Sequence, residues 1–154
     1  DFPLKILGDG PLAEVLKSFV REKKLSNVEF LGYLPGEEYE KQLSNASFVV
    51  VPSICYENFP RMVVESYARG IPVIATRLGS MAEIVTLHSG RLFDAGNAGQ
   101  LAAHVRAWID HPEELALMRP LARKEYELRY TVKKNYEQLM DIYNEARQQK
   151  ATTR

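Results

Sequence analysis

The sequence has a single cysteine, Cys55, and no apolar run that approaches the roughly 18 residues of a membrane-spanning helix. One cysteine excludes an internal disulfide and is typical of a reducing compartment. Twenty basic residues are balanced by twenty acidic residues, so no excess of positive charge indicates a nucleic-acid partner or an anionic membrane surface. We therefore expect a cytoplasmic protein that binds no nucleic acid.

Signals for metal binding and for nucleophilic catalysis are also lacking. The three histidines, His88, His104 and His111, have no ligand-like spacing to the cysteine or to an acid pair. Ser53 lacks the G-x-S-x-G context of a serine nucleophile, and Cys55 has no identifiable base partner. We predict no metal and no cofactor.

Apolar runs and helical patterns alternate along the 154 residues with short connections. This alternation predicts an α/β fold with a doubly wound, mainly parallel Rossmann-like sheet, helices on both faces and a C-terminal helical segment. The run Phe48–Val51 is uninterrupted and β-branched, as expected of a strand buried on both faces. Strands are predicted at 4–7, 28–31, 48–51, 72–76 and 91–93, and helices at 11–24, 35–44, 60–69, 79–85, 97–110, 112–129 with a break at Pro120, and 131–148.

The chain begins Asp1-Phe2-Pro3, without an initiator methionine. We interpret it as a domain from a longer polypeptide. We expect one domain over 1–154, with a Rossmann-like core at about 1–110 and C-terminal helices at about 111–148.

Ligands of doubly wound sheets bind beyond the carboxyl ends of the strands, so the loops after the strands are the candidate site. Gly8-Asp9-Gly10 follows the first strand, where glycines allow a ligand to approach the backbone; a tight turn with Asp9 as helix cap is the alternative. Gly79-Ser80 precedes a short helix and is a second possible phosphate contact.

The stretch ENFPRMVVE, residues 57–65, carries two carboxylates at the change from loop to helix. Pro60 fits only a first helical turn, so Glu57 lies in the loop and Glu65 in the helix. Amides of Phe59, Arg61 and Met62 could hold a phosphate while the glutamates accept hydrogen bonds from sugar hydroxyls. The alternative is two surface ion pairs at i,i+4, Glu57 with Arg61 and Glu65 with Arg69.

The stretch ENFPRMVVESYARGIPVIATRLGSMAEIV closely resembles the C-terminal, nucleotide-sugar-binding domain of retaining glycosyltransferases of the large family 4 group, which have the GT-B fold. The resemblance begins at LKILGDGPL, continues through VEFLGYL, ASFVVVPS and GIPVIAT, and reaches the closing Tyr-Thr helix. The ordered set of these motifs is specific, although each alone is weak.

The resemblance implies a separate role for each glutamate: Glu57 would meet hydroxyls of the transferred sugar, and Glu65 would bind the ribose. It also implies that the loop after Leu31, with Gly32 and Tyr33, approaches the base. The remaining donor-binding residues that it implies are Asn58, Phe59, Pro60, Arg61 and Met62 around the diphosphate, and Gly8, Asp9, Gly10, Ser53, Gly79 and Ser80 along the cleft.

The sequence departs from the family pattern in two ways. Many relatives have glycine where this chain has Asn58 and Pro60, a variant that we interpret as tolerated. Relatives also carry an upstream arginine and lysine that stabilise the departing diphosphate, and these precede the part of the pattern that this chain matches.

The function implied is the donor half of a retaining hexosyltransferase that moves a sugar from UDP-sugar, or GDP-sugar, to a glycan or lipid-linked acceptor in polysaccharide biosynthesis. The acceptor would bind an N-terminal domain outside this chain, and peripheral contact with the inner face of the membrane would come only through that domain. Two alternatives stay open: a sugar-nucleotide epimerase or hydrolase relative, and a non-catalytic Rossmann-like binding module.

Overall fold

A computed structural model of the chain describes residues 2–152, except the side chains of residues 150–152. Within these residues, helices and strands alternate up to the last strand, and three helices then close the chain. The elements are β1 (Leu4–Leu7), α1 (Ala13–Glu22), β2 (Val28–Gly32), α2 (Gly36–Ser44), β3 (Val49–Val51), α3 (Arg61–Tyr67), β4 (Val73–Thr76), α4 (Ser80–Ile84), β5 (Gly90–Phe93), α5 (Ala98–Asp110), α6 (Pro112–Arg129) and α7 (Val132–Thr152).

The chain divides into two compact units, residues 1–45 and 46–154. In the first unit, β1 and β2 pair in parallel, with Leu4 opposite Val28. Helices α1 and α2 follow these two strands in the chain. One domain over 1–154, with a core at about 1–110, stays a prediction.

The second unit contains a three-stranded parallel sheet in the order β3-β4-β5. Val50 pairs with Ile74, and Ile74 pairs with Arg91 on the other side. The predicted parallel pairing is confirmed in both units. Because all three strands run the same way, their carboxyl ends and the loops that follow them share one edge of this sheet.

Side chains from β4 pack on both faces of this sheet, because successive residues of a strand point to opposite sides. Val73 and Ala75 belong to one buried cluster, and Ile74 belongs to the other. Helices therefore cover both faces, as predicted. The first cluster also contains Val63, Tyr67, Met81, Val85 and Ala122, and the second contains Phe93, Trp108, Leu115 and Met118.

The strand that is fully buried is β4, not the β-branched run in β3. Every residue of β4 is buried, whereas Val49, Val50 and Val51 are only half-buried. Val49 and Val51 pack against the first cluster, and Phe48 and Val50 pack against the second. The predicted packing of this run on both faces is therefore present, but its burial is only partial. In the described sheet β4 is central, and β3 has β4 on one side only.

The predicted break at Pro120 is also wrong, because α6 continues from Pro112 to Arg129. Pro120 is exposed, so water can donate a hydrogen bond to the carbonyl that has no N–H partner at this proline. Buried residues on either side, Met118 and Ala122, hold the adjoining turns against the core. Tertiary packing thus outweighs the local cost of proline.

Candidate functional site

The loop after β3 and the turn after β4 contact each other at the carboxyl edge of the second unit's sheet. Ser80 Oγ donates a hydrogen bond to the backbone oxygen of Glu57 over 2.5 Å. Gly79 has a φ of +53°, and a β-carbon built there would lie 3.2 Å from Cδ1 of Tyr56. Glycine therefore allows both the turn and the close approach of the two segments.

A second hydrogen bond joins the same two segments closer to the sheet. Thr76, the last residue of β4, is fully buried, and its Oγ1 donates to the backbone oxygen of Ser53 over 2.7 Å. Ser53 was a predicted site residue, but the sequence analysis gave Thr76 no role. The sequence feature that could have indicated Thr76 is its hydroxyl at the end of an otherwise apolar strand, because strand ends of this kind lie at the ligand-binding edge.

The two glutamates lie where the sequence predicted them. Glu57 is half-buried in the loop, and Glu65 is the fifth residue of α3. The side chain of Glu65 is 29% exposed and pairs with Arg61, whose Nη2 lies 3.0 Å from Glu65 Oε1. The Arg69 guanidinium donates to the backbone oxygen of Glu65 over 2.7 Å.

The ion-pair alternative is wrong for Glu57. Among the residues that the structure describes, no ion pair joins Glu57 to Arg61, because the Arg61 guanidinium turns toward Glu65 instead. The Arg61 side chain is 83% exposed, and exposed pairs contribute only about 0–1 kcal/mol. A ligand hydroxyl could therefore compete with this pair for Glu65 at little cost.

The residues between the glutamates differ in burial. Pro60 is buried, precedes α3, and its carbonyl accepts from the Val63 amide over 3.0 Å. Met62 is half-buried, and its carbonyl accepts from the Ser66 hydroxyl. Asn58 is exposed at the tip of the loop. Pro60 thus fixes the start of the helix, while Asn58, two residues before it, stays accessible.

Phe59 packs against an aromatic residue far away in the sequence. Its ring lies edge-on to that of Tyr130, with centroids 6.2 Å apart and planes at 64°. Tyr130 follows α6 and packs on the first buried cluster, and its partial burial raises the pKa of its phenol. The sequence carries no local signal for this contact between Phe59 and Tyr130.

The other predicted site residues lie in the first unit, where the structure brings two of them together. The Gly8 amide donates to the Gly32 carbonyl over 2.7 Å, which joins the carboxyl ends of β1 and β2. Asp9 does not cap α1: its Oδ1 accepts from the amide of Gly10 over 2.9 Å, and Leu12 occupies the cap position. Tyr33 is exposed after β2.

No cluster of three or more histidine, cysteine or acidic side chains that could hold a metal occurs in the part of the chain that the structure describes. Over the same residues, no helix is long and apolar enough to cross a membrane.

Residues 1–125 match the family described as Glycosyl transferases group 1. The chain belongs to this family. The resemblance in the sequence is thereby confirmed at the level of the glycosyltransferase family, and the α/β fold is confirmed by its structural neighbours.

Two curated glycosyltransferases show how this group 1 domain relates to longer proteins. An uncharacterized glycosyltransferase of Methanocaldococcus jannaschii is 35% identical over 92% of this chain and 42% of its own length. The amylovoran biosynthesis glycosyltransferase AmsK of Erwinia amylovora is 27% identical over 92% of this chain and 36% of its own. The chain therefore spans about two fifths of these relatives.

Among solved structures, HepE of Anabaena in complex with UDP-glucose has a similar fold. The TM-score is 0.81 with 23% identity, over 93% of this chain and 41% of that one. At this identity the likeness establishes the fold, with its parallel sheets and surrounding helices, and UDP-glucose is a ligand of HepE.

Proposed function

We propose that the chain is the donor-binding half of a retaining glycosyltransferase, one that transfers a hexose from a nucleoside diphosphate to a glycan or lipid-linked acceptor. The observation that supports this most is the junction of the Glu57 loop with Gly79 and Ser80. It holds the backbone of Glu57 against a helix-starting turn at the sheet edge where α/β folds bind ligands. HepE, with a similar fold, holds UDP-glucose, which favours a UDP-sugar over a GDP-sugar.

In this proposal different residues bind different parts of the donor. Glu57 accepts hydrogen bonds from the sugar, and Glu65 releases Arg61 to bind the ribose. Amides and side chains over 58–62 and 79–80, with Ser53, surround the diphosphate, and Arg61 supplies positive charge to it.

Glycosyl transfer requires that the charge developing on the leaving diphosphate be stabilised by dipoles and cations placed in advance. The proposal assigns this role to backbone amides and Arg61, without a metal or cofactor. It assigns acceptor binding, and any peripheral contact with a membrane on its cytoplasmic side, to polypeptide outside this chain. Relatives more than twice as long are consistent with that division. These 154 residues should therefore bind donor weakly and transfer no sugar.

The test is a ligand-observed NMR titration of the chain with UDP, GDP and ADP, repeated on Glu65→Ala. We expect saturable binding of UDP with a dissociation constant of about 1 mM for half a site. Loss of a hydrogen bond to a charged group should weaken UDP binding about tenfold in Glu65→Ala. Glu145→Ala, an exposed change on α7, is the matched control and should bind as the wild type does.

The outcomes distinguish the proposed function from its alternatives. UDP binding that Glu65→Ala leaves intact would return this glutamate to ion pairing and move the ribose contact elsewhere. Absence of binding by all three nucleotides would favour a non-catalytic module. Sugar transfer by the chain in a multiple-turnover assay would contradict the assignment of the acceptor site to other polypeptide.

A further inference from the structure

The loop that carries Glu57 and Asn58 is held at both ends. On its first side, Ser80 Oγ bonds to the Glu57 carbonyl, and Gly79 packs on Tyr56. On its second side, the ring of Phe59 meets the ring of Tyr130. Only Asn58 lies between the two attachments, so together they restrain the backbone that carries the Glu57 and Asn58 side chains.

The second attachment belongs to a broader contact between α6 and α3. The Arg123 guanidinium donates to the carbonyl of Ala68, which ends α3. Gly70 lies against the backbone of Arg119: a β-carbon there would be 3.0 Å from the Arg119 oxygen. Helix α6 thus holds the end of α3. Tyr130, one residue beyond α6, contacts Phe59 in the segment that precedes α3.

Tyr130 is suited to this task because its own position is fixed. Its amide donates to the Tyr126 carbonyl over 2.8 Å, and its ring packs partly buried on the first core cluster. Phe59, in contrast, remains 52% exposed. A half-exposed ring before a buried proline would sample several rotamers without a partner, and the edge-on contact with a fixed ring favours one of them.

We propose that Tyr130 is a positioning residue for donor binding: its ring holds Phe59 and thereby orders the 57–60 loop before the donor arrives. The inference rests on the proposed function, since it assigns the loop to the donor site. Its physical basis is preorganisation. Ordering a loop when a ligand binds costs conformational entropy, and a loop that is already ordered avoids most of this cost. Tyr130 itself touches no reacting atom in this proposal.

The test compares Tyr130→Leu with Tyr130→Phe, which keeps the ring and removes only the hydroxyl. Two quantities are measured on the 154-residue chain: the amide chemical shifts of residues 57–59 without ligand, and the dissociation constant for UDP. Tyr130→Leu should shift those amides and weaken UDP binding about fivefold, the magnitude typical of one aromatic pair. Tyr130→Phe should keep wild-type shifts and stay within about twofold of the wild-type constant.

Tyr136→Leu is the matched control, because Tyr136 is an exposed tyrosine on α7. It should leave the loop amides and UDP binding unchanged. If Tyr130→Leu fails to fold, Phe59→Leu removes the same contact from the exposed side and should shift the amides of residues 57 and 58 alike.

Two results would overturn the proposal: loop amides and UDP affinity unchanged in Tyr130→Leu, or a loss in Tyr130→Phe as large as that in Tyr130→Leu. The second result would make the hydroxyl, not the ring, responsible. If the wild type bound no nucleotide, the proposed function would fail, and the shifts of the loop amides would still decide whether Tyr130 orders the loop.

Discussion

Ser80 Oγ donates to the backbone oxygen of Glu57, so the turn after β4 supports the loop after β3. Separate segments of the chain, 23 residues apart, thereby act as one surface. The buried bond from Thr76 to Ser53 repeats the connection one layer closer to the sheet. The candidate site is thus built on hydrogen bonds from side chains to backbone that join the loop after β3 to the end of β4 and the turn beyond it.

Ser80→Ala should loosen this frame without changing any charge. The Glu57 carbonyl would lose its hydroxyl donor, at a cost of about 1 kcal/mol in the free energy of unfolding. We also expect UDP-glucose binding to weaken by about threefold to fivefold, which NMR titration and urea unfolding can measure. Ser44→Ala, at the exposed end of α2, should change neither quantity. Unaltered binding by Ser80→Ala would show that the loop holds its position without this bond.

Glu57→Gln should separate the sugar from the nucleotide. The glutamine keeps the size of the side chain but weakens its hydrogen bonds to sugar hydroxyls, since it is no longer charged. UDP should bind within about twofold of wild type, while UDP-glucose loses about tenfold. Isothermal titration of both ligands tests this, with Glu83→Gln, at an exposed position of α4, as the control. Equal losses for UDP and UDP-glucose would place Glu57 against the nucleotide instead.

Much of the architecture could be predicted from the sequence because its signals are local. The short apolar runs and the Pro and Gly residues around them located each described strand to within one or two residues. Gly70, with a φ of +64°, lies just beyond the end of α3, a usual position for a helix-ending glycine. The same local signals overstated the effect of Pro120, since its cost depends on exposure and on the packing of its neighbours.

The contacts between distant segments that shape the candidate site were not predictable, since only tertiary packing brings their residues together. Phe59 and Tyr130 are 71 positions apart, and no local pattern relates them. The partner of Arg61 was likewise missed: i,i+4 spacing allowed Glu57 or Glu65, and the non-helical backbone before Pro60 decided for Glu65. The predicted roles of the glutamates come from resemblance and stay predictions.

Gly90→Ala should be among the most destabilising single changes in the second unit. A β-carbon at Gly90, the first residue of β5, would overlap the backbone oxygen of Val73 and Cγ1 of Val85. Because β4 is central, it cannot move aside, and we expect a loss of about 3 kcal/mol or more in urea unfolding. Gly99→Ala in α5 meets only ordinary contacts and should be neutral or stabilising by up to about 1 kcal/mol. Similar losses for the two variants would contradict this account.

Tyr67→Phe should change the dependence of stability on alkaline pH. Tyr67 is fully buried, and its hydroxyl lies 2.8 Å from Ser89 Oγ; burial raises the pKa of the phenol above its usual value of about 10.

The direction of the effect follows from linkage. A raised folded-state pKa means that the folded chain keeps its proton while the unfolded chain loses it, so this stabilisation is full below about pH 10 and falls as the pH rises further. At about pH 7.5 Tyr67→Phe should be less stable by about 1 kcal/mol, through the lost hydrogen bond to Ser89.

By about pH 10.5 that difference should shrink. Only in the wild type can the Tyr67 phenol ionise when the chain unfolds, and this ionisation favours the unfolded state. Urea unfolding followed by Trp108 fluorescence at both pH values measures it, and Tyr136→Phe, at an exposed tyrosine, should show no such change. Every other tyrosine is present in both proteins and therefore cancels in the comparison. A difference that is the same at both pH values would show that the Tyr67 phenol ionises equally easily in the folded and unfolded chains.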